Sequence, residues 1–411
     1  MSLKKLEPLL TGKLTELRQQ GICKGNEKII IGIKAAADGF GPRYCLEGYG
    51  DRAFLRMNSN SYLGLAVHPL VIEAEAAAAE KFGTGPGAVR FISGTYQAHI
   101  ELEQKLAEFH DRESAMLFSS AYTTMTGVLP QFISADTLVV SDSLNHNCII
   151  NAIRLSHPAG KEIYAHADID ALDKILEAYK GRAKRVCVVT DGIFSMRGDY
   201  ADLGKINACC KLHEDAYEQG IITIVDDSHG VAAFGQTGRG TEEYSQGKAD
   251  ILIATLGKAF GVNGGYVVSS SVVTAYLRET SPFYIYSNPI TPAEAVAAGT
   301  ALDVVKSDEG LHLLGKLRIF STRLRSGLEK LGFETLPGEH PIVPILIRDT
   351  GKTSALVEHL LANNILVTGL NYPVVPQGEQ EIRLQVSAEH TDKDLDYLLA
   401  TLGSFKQRDC R

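Results

Sequence analysis

Residues 253–261 read IATLGKAFG, an apolar run, then Lys258, then a glycine-broken turn. About thirty residues upstream, residues 224–230 read IVDDSHG and set Asp226 and His229 at the end of another apolar run. Short β-branched runs that close on polar residues mark strands buried on both faces of a parallel sheet. Similar runs occur at Ala115–Phe118, Thr137–Val140, Val186–Val189, Ile221–Val225, Ile251–Ala254 and Tyr266–Val268. Helical patterns lie between them, near 97–110, 122–133, 145–155, 168–180 and 201–218. This alternation predicts an α/β architecture, a mainly parallel sheet covered by helices.

The flanks differ. Leu3, Leu6, Leu10, Leu14 and Leu17 fall at helical spacing and predict an amphipathic helix that docks on a further surface. A β-rich stretch follows, with Ile29–Ile33, Tyr44–Leu46 and Phe54–Met57. Beyond the alternating core, one long helical stretch is expected from about 291 to 331. Ile342–Ile347, a helix near 352–363, Ile365–Val367, Ile382–Val386 and a final helix then predict an α+β carboxy-terminal domain. The expected division is 1–55, an N-terminal helix and small β segment; 56–300, the large domain; and 301–411, the smaller C-terminal domain.

Composition narrows the function. Hydrophobic residues make up 45% and charged residues 22% of the 411, the balance of a soluble enzyme. The formal net charge of -8, with no basic run, argues against nucleic acid or an anionic membrane as partner. No stretch reaches the roughly 18–20 apolar residues of a membrane span. The first residues, MSLKKLEPLL, do not read as a signal peptide. The seven scattered cysteines show no metal-ligand or redox spacing, so a cytoplasmic protein with reduced thiols and no metal is expected.

In open parallel sheets, ligands gather at the carboxyl ends of the strands. Asp142 and His146 follow one run, Asp191 and Ser195 another, Asp226 a third, and Thr255 and Lys258 a fourth. A lysine amine that forms an imine, with a carboxylate for a pyridinium nitrogen, is what pyridoxal 5'-phosphate (PLP) requires. Lys258 is the candidate amine. Gly257, Gly261, Gly264 and Gly265 around it permit close backbone approach. Asp226 is preferred to Asp227 because it stands three residues before His229, and alternation allows only one of the pair to face the ring. His229 is expected on the phenolic oxygen and His146 on the ring face. Ser119, Ser120, Ala121 and Tyr122 lie between a strand and a helix start, where backbone N–H groups bind phosphate. Thr255 and Ser195 are further candidates for phosphate and ring. Arg383, inward on an apolar strand, suits a substrate carboxylate. Residues 82–95, FGTGPGAVRFISGT, lack the Walker and dinucleotide patterns and are expected to border the site.

These residues resemble the α-oxoamine synthase family along nearly the whole chain. The motifs are NSYLGL (60–65), RFISGT (90–95), SDSLNH (141–146), DGIFSMRGD (191–199), VDDSHG (225–230), GRG (238–240), TLGKAFG (255–261) and SAEHT (387–391). The resemblance implies fold type I of the PLP-dependent transferases, aspartate aminotransferase-like, with a seven-stranded sheet, and a homodimer with shared active sites. It assigns Lys258 the Schiff base, Asp226 the ring nitrogen, His229 the phenolic oxygen and His146 the stacking role. Ser120, Ala121, Tyr122 and Thr255 match its phosphate positions, and Ser287 matches one that reaches the phosphate from the other subunit. Asn60 and Arg383 match the groups that hold the amino-acid carboxylate.

The implied activity is a C-acyltransfer, in which an amino acid condenses with an acyl-CoA thioester and CoA is released. VDDSH, TLGKA and NYPVVPQG (371–378) look most like members that join glycine to acetyl-CoA. The alternatives are a longer acyl-CoA or acyl-carrier-protein donor, or alanine or serine as the amino acid; a fold-type I aminotransferase is a more distant one. The chain departs from the pattern at Ala121, at Thr123-Thr124, at Pro86 in the glycine-rich loop, at Pro289, and in a shorter loop after Lys258.

Overall fold

In a computed structural model, which describes residues 3–20, 27–372 and 375–409, the apolar runs form the centre of a seven-stranded sheet. Its strands are β4 (Ser114–Phe118), β5 (Thr137–Asp142), β6 (Gly160–Tyr164), β7 (Arg185–Asp191), β8 (Ile221–Asp226), β9 (Ile251–Thr255) and β10 (Gly265–Ser269), in the order β4-β10-β9-β8-β7-β5-β6. Neighbours from β9 to β6 are parallel, whereas β10 runs antiparallel to both β4 and β9. β5 is buried along its whole length and β7 along all but its first residue, which is why their sequences show no alternation. The edge strand β6 is not foreseen in the sequence. Its residues GKEIY alternate in burial, leaving no apolar run.

Two smaller sheets flank this core. β1 (Ile30–Lys34), β2 (Arg43–Leu46) and β3 (Ala53–Arg56) are joined by β13 (Ile365–Leu366), which lies parallel to β3. The third sheet has the order β11-β12-β15-β14, with β11 (Glu334–Thr335), β12 (Ile342–Leu346), β14 (Thr368–Leu370) and β15 (Glu381–Gln385).

The long helical stretch is two helices, Pro292–Lys306 and Asp308–Lys330. Ser307 breaks it with an extended backbone, and its Oγ accepts from the Gly310 N–H at 3.4 Å as the cap of the second helix. Helix Pro69–Phe82, rich in alanine and not foreseen, packs on the first of these. The predicted N-terminal helix is present as Leu3–Gln19, yet none of its residues is buried. Pro373 and Val374 of NYPVVPQG lie outside the described residues. No helix among the described residues is long and apolar enough to cross a membrane.

Candidate active site

The carboxyl ends of β4, β5, β7, β8 and β9 face one edge of the sheet. Because β10 runs the other way, its first residue, Gly265, sits at that edge too, opposite both Phe118 and Thr255. A cavity of about 280 Å³ opens there. Its walls include Ser120, Ala121, Tyr122, His146, Ser195, Asp226, His229, Thr255 and Lys258. All nine were singled out in the sequence as catalytic or cofactor-binding candidates. A larger cavity of 690 Å³ around Phe234, Tyr244 and Arg318 gathers none of them, so chemistry rather than size distinguishes the site.

At one end, helix Ala121–Val128 points its amino terminus into the cavity. Ser120 caps it, its Oγ accepting from the Thr123 N–H at 3.1 Å. The unusual Thr123-Thr124 pair turns back on this cap, both hydroxyls donating to Ser120 O at 2.8 Å. The departure from the family pattern is thus taken up by the helix start itself. The first N–H groups of a helix have no partner within it, which suits them to an anion. Gly265 lets the backbones close up: a Cβ there would stand 2.3 Å from Ala121 N.

On the floor, Asp226 is buried, with Oδ1 accepting from the Ser228 N–H at 3.1 Å and Oδ2 from the Cys148 thiol at 3.4 Å. Asp227 faces away. It accepts from Thr241 N–H at 2.7 Å and Thr241 Oγ1 at 2.6 Å, and glycines 192, 230 and 240 close around its carboxylate. Alternation along β8 separates the two aspartates as expected. Burial pushes Asp227 up to about 7, against its bonds to Thr241.

Lys258 projects from the loop after β9. Burial lowers its pKa, and Arg383 adds to this, while Asp226 and Asp191 oppose it. Burial, with Lys258 nearby, also drives His229 well below its ordinary value, so its imidazole is neutral. His146 caps helix Asn147–Arg154, its Nδ1 accepting from the Cys148 N–H at 3.2 Å; burial lowers its pKa too, against Asp226. Thr255 Oγ1 donates to Gly264 O at 3.1 Å and accepts from the Gly257 N–H at 3.0 Å.

Asn60 and Arg383 approach the site through an intermediary that the sequence reading did not single out. Tyr62, fully buried, places its hydroxyl 2.7 Å from His229 Nδ1. Burial pushes this phenol up to about 12, against Arg383, so it keeps its proton. Arg383 lies beside it and donates to Asn60 Oδ1 at 3.4 Å, where the Gln385 amide also rests. Arg383 Nε is buried without a partner. Ser287 is not among the cavity's lining residues in its own chain. Asp191, Cys148 and Ser228 complete the lining with Ile193. Asp191 is recognisable in the sequence only as one more carboxylate at a strand end; here it accepts from the His146 N–H at 2.9 Å, and burial beside Asp226 raises its pKa well above the ordinary range.

The lining suits PLP: a helix start for the phosphate, an amine, a buried carboxylate and two imidazoles around one small cavity. The family model of class I and II aminotransferases matches residues 52–402. The 8-amino-7-oxononanoate synthase of Geobacter sulfurreducens is 36% identical over 396 residues, covering 96% of this chain and 97% of that protein. The mitochondrial 2-amino-3-ketobutyrate coenzyme A ligase of Homo sapiens is 37% identical over 399 residues, covering 96% and 91%. Among solved structures, serine palmitoyltransferase with PLP as the internal aldimine is 25% identical, with a TM-score of 0.88 over 99% of both chains.

Proposed function

The chain belongs to the class I and II aminotransferase family, and within it to the α-oxoamine synthases, PLP-dependent C-acyltransferases that condense an amino acid with an acyl-CoA; from that premise we propose glycine and acetyl-CoA as its substrates. The observation that carries the reading is the convergence of Lys258, Asp226, His229, His146 and the Ser120 helix cap on one cavity of about 280 Å³. PLP itself would fill much of that volume, so the choice of glycine and acetyl-CoA rests on the motifs VDDSH and TLGKA.

Bound PLP supplies an electron sink that stabilises negative charge on the amino-acid α carbon. Lys258, whose pKa burial lowers, would hold the cofactor and would be the group placed to take the α proton. Asp226 would pair with the ring nitrogen and keep it protonated. With the Tyr62 hydroxyl as donor to His229 Nδ1, 2.7 Å away, the neutral imidazole would carry its proton on Nε2 and offer it to the cofactor's phenolic oxygen. His146 covers the ring face. The N–H groups of Ala121 and Tyr122, with Thr255 and Ser195, serve the phosphate and ring. Arg383, whose Nε lacks a partner, and Asn60 hold the substrate carboxylate. A carbon–carbon bond then forms to the thioester carbonyl, its carbon–sulfur bond breaks, and the thiol leaves.

One observation favours a second reading, a longer acyl donor. A cavity of about 530 Å³ shares Ser195 with the catalytic one; Leu144, Phe194, Met196, Leu346 and Val375 line part of it, and Arg197, Arg348 and three glutamates line much of the rest. Thiol release by the PLP-loaded protein tests both. Glycine, alanine and serine would be crossed with acetyl, succinyl, pimeloyl and long-chain acyl-CoA. Release with glycine and acetyl-CoA alone is expected; preference for a longer chain moves the assignment to the second reading. No release with any pair sinks both and turns attention to a carrier-protein donor or to amino transfer.

The homodimer is likewise our proposal. Its support is the apolar surface left open by one chain: the leucines of helix Leu3–Gln19, Phe91 and Ile92 at 64% exposure each, and Tyr286 at 79% beside Ser287. Cytoplasmic residence is proposed from the unpaired cysteines at 45, 148, 187, 209 and 210.

A further inference from the structure

Helix Ile169–Ala178 and helix Leu203–His213 pack side by side on one face of the large sheet. Each turns an i, i+4 pair toward the other, since residues four apart share a helix face. The first offers Asp173 and Glu177, the second Cys209 and His213. One ligand atom from each of Asp173, Cys209 and His213 lies within 4.8 Å of the other two. His213 Nε2 is 2.8 Å from Asp173 Oδ1, and its Nδ1 is 3.5 Å from Glu177 Oε2.

We propose that this cluster is a zinc site, with Cys209, His213 and Asp173 as protein ligands, water in the fourth position and Glu177 against the other nitrogen of His213. Sulfur, nitrogen and carboxylate oxygen in one small cluster suit Zn²⁺ and the borderline-soft divalent ions near it, and do not suit Mg²⁺ or Ca²⁺. In tetrahedral zinc sites, neighbouring ligand atoms stand roughly 3.5 Å apart. The three ligand atoms range from 2.8 Å apart to no more than 4.8 Å, so small side-chain rotations close the site.

The metal-free cluster is poorly satisfied. His213 is 6% exposed, and its Nδ1 makes no hydrogen bond. Cys209 is 5% exposed, so its sulfur is shielded from solvent beside Asp173 and His213. A divalent cation replaces the thiol proton and takes the His213 Nε2 position that faces Asp173, while the ring proton sits on Nδ1 toward Glu177. Asp173 keeps 49% of its side chain exposed, which leaves an entry path. Glu177 is paired with Lys180 at 2.5 Å on the open surface, a pairing that yields to the His213 Nδ1–H at little cost.

The site is structural. The two helices feed the amino ends of β7 and β8, whereas the catalytic cavity lies at their carboxyl ends. Zinc there pins two helices and leaves turnover alone. The inference is independent of which substrates the enzyme takes.

The PLP-loaded enzyme, stripped with a chelator, would be titrated with Co²⁺ as a spectroscopic stand-in for Zn²⁺. One equivalent per chain should give intense tetrahedral bands in the red, clear of the cofactor's absorbance. Cys209→Ser should lose them, and the solvent-facing Asp173→Asn, which leaves the core untouched, should weaken binding. Zn²⁺ should raise the melting temperature of the wild type, by mass action on the folded state, and not that of Cys209→Ser, with the steady-state rate unchanged in both. Absent bands, or bands and stabilisation that survive in Cys209→Ser, overturn the site. So does unaltered affinity in Asp173→Asn.

Discussion

At the scale of single residues, the chemistry rests on which protonation state each group holds. Lys258 must offer a neutral amine, and burial is the main reason that it can. Lys258→Ala should abolish turnover together with the visible absorbance of the covalently held cofactor; an active, yellow variant would refute the assignment. His229 depends on Tyr62. Without the phenol, nothing in the described surroundings fixes which ring nitrogen carries the proton, although the imidazole stays buried. Tyr62→Phe should therefore reduce kcat roughly 10- to 100-fold, the scale of losing a hydrogen bond that orients a functional imidazole, while PLP stays bound. A kcat like that of the wild type would show that His229 needs no such partner. Most of the residues that line the cavity were legible in the sequence because they follow apolar runs. Tyr62 was not singled out, although it lies in the motif NSYLGL, because its partner is 167 residues away and no local pattern shows that contact.

Elements set how closely these groups meet. The cap of helix Ala121–Val128 and the start of β10 touch so tightly that only glycine fits at 265. Gly265→Ala should push the cap aside and weaken PLP retention by about tenfold or more, as a misplaced anion site would; dialysis against buffer followed by absorbance would measure it. A second junction is ionic. His166 sits between Asp142 at the end of β5, 3.1 Å away, and Asp199 in the 194–199 turn, 3.2 Å away. Burial opposes its charge, but hydrogen bonds to both carboxylates prevail and raise it to about 9. A raised histidine stabilises the fold fully below its unfolded pKa near 6.5 and loses that contribution as pH climbs through about 9. Melting temperature should fall over this window in the wild type and lose that slope in His166→Gln. A slope that persists in the variant would assign it to other groups.

Across the whole molecule, one chain leaves work undone. Helix Leu3–Gln19 exposes leucines that no described part of its own chain covers, and Ser287 stands apart from the cavity that its motif points to. A second copy answers both. Sedimentation should give twice the chain mass, and removing residues 1–20 should shift the population toward monomer. If Ser287 serves the partner's site, Ser287→Glu chains mixed with Lys258→Ala chains should regain about one quarter of wild-type activity, from the one intact site in each mixed dimer; no recovery would place Ser287 elsewhere. We also propose that segments 1–55, 56–300 and 301–411 behave as three units, the first riding on the third through the pairing of β3 with β13.

The sequence alone determined the layered α/β core, the positions of its buried strands along the chain and the residues at their ends. These follow from local periodicity, and burial on both faces writes itself as unbroken apolar runs. It did not determine β6, whose alternation hides an edge strand, or the break at Ser307, where a capping serine interrupts an otherwise continuous pattern. Only the tertiary structure decided that β10 returns antiparallel and brings Gly265 to the helix cap, that Tyr62 seats His229, and that Asp173 and His213, forty residues apart, meet beside Cys209. Those contacts come from packing distant segments together, and packing depends on shape and burial that no local spacing encodes.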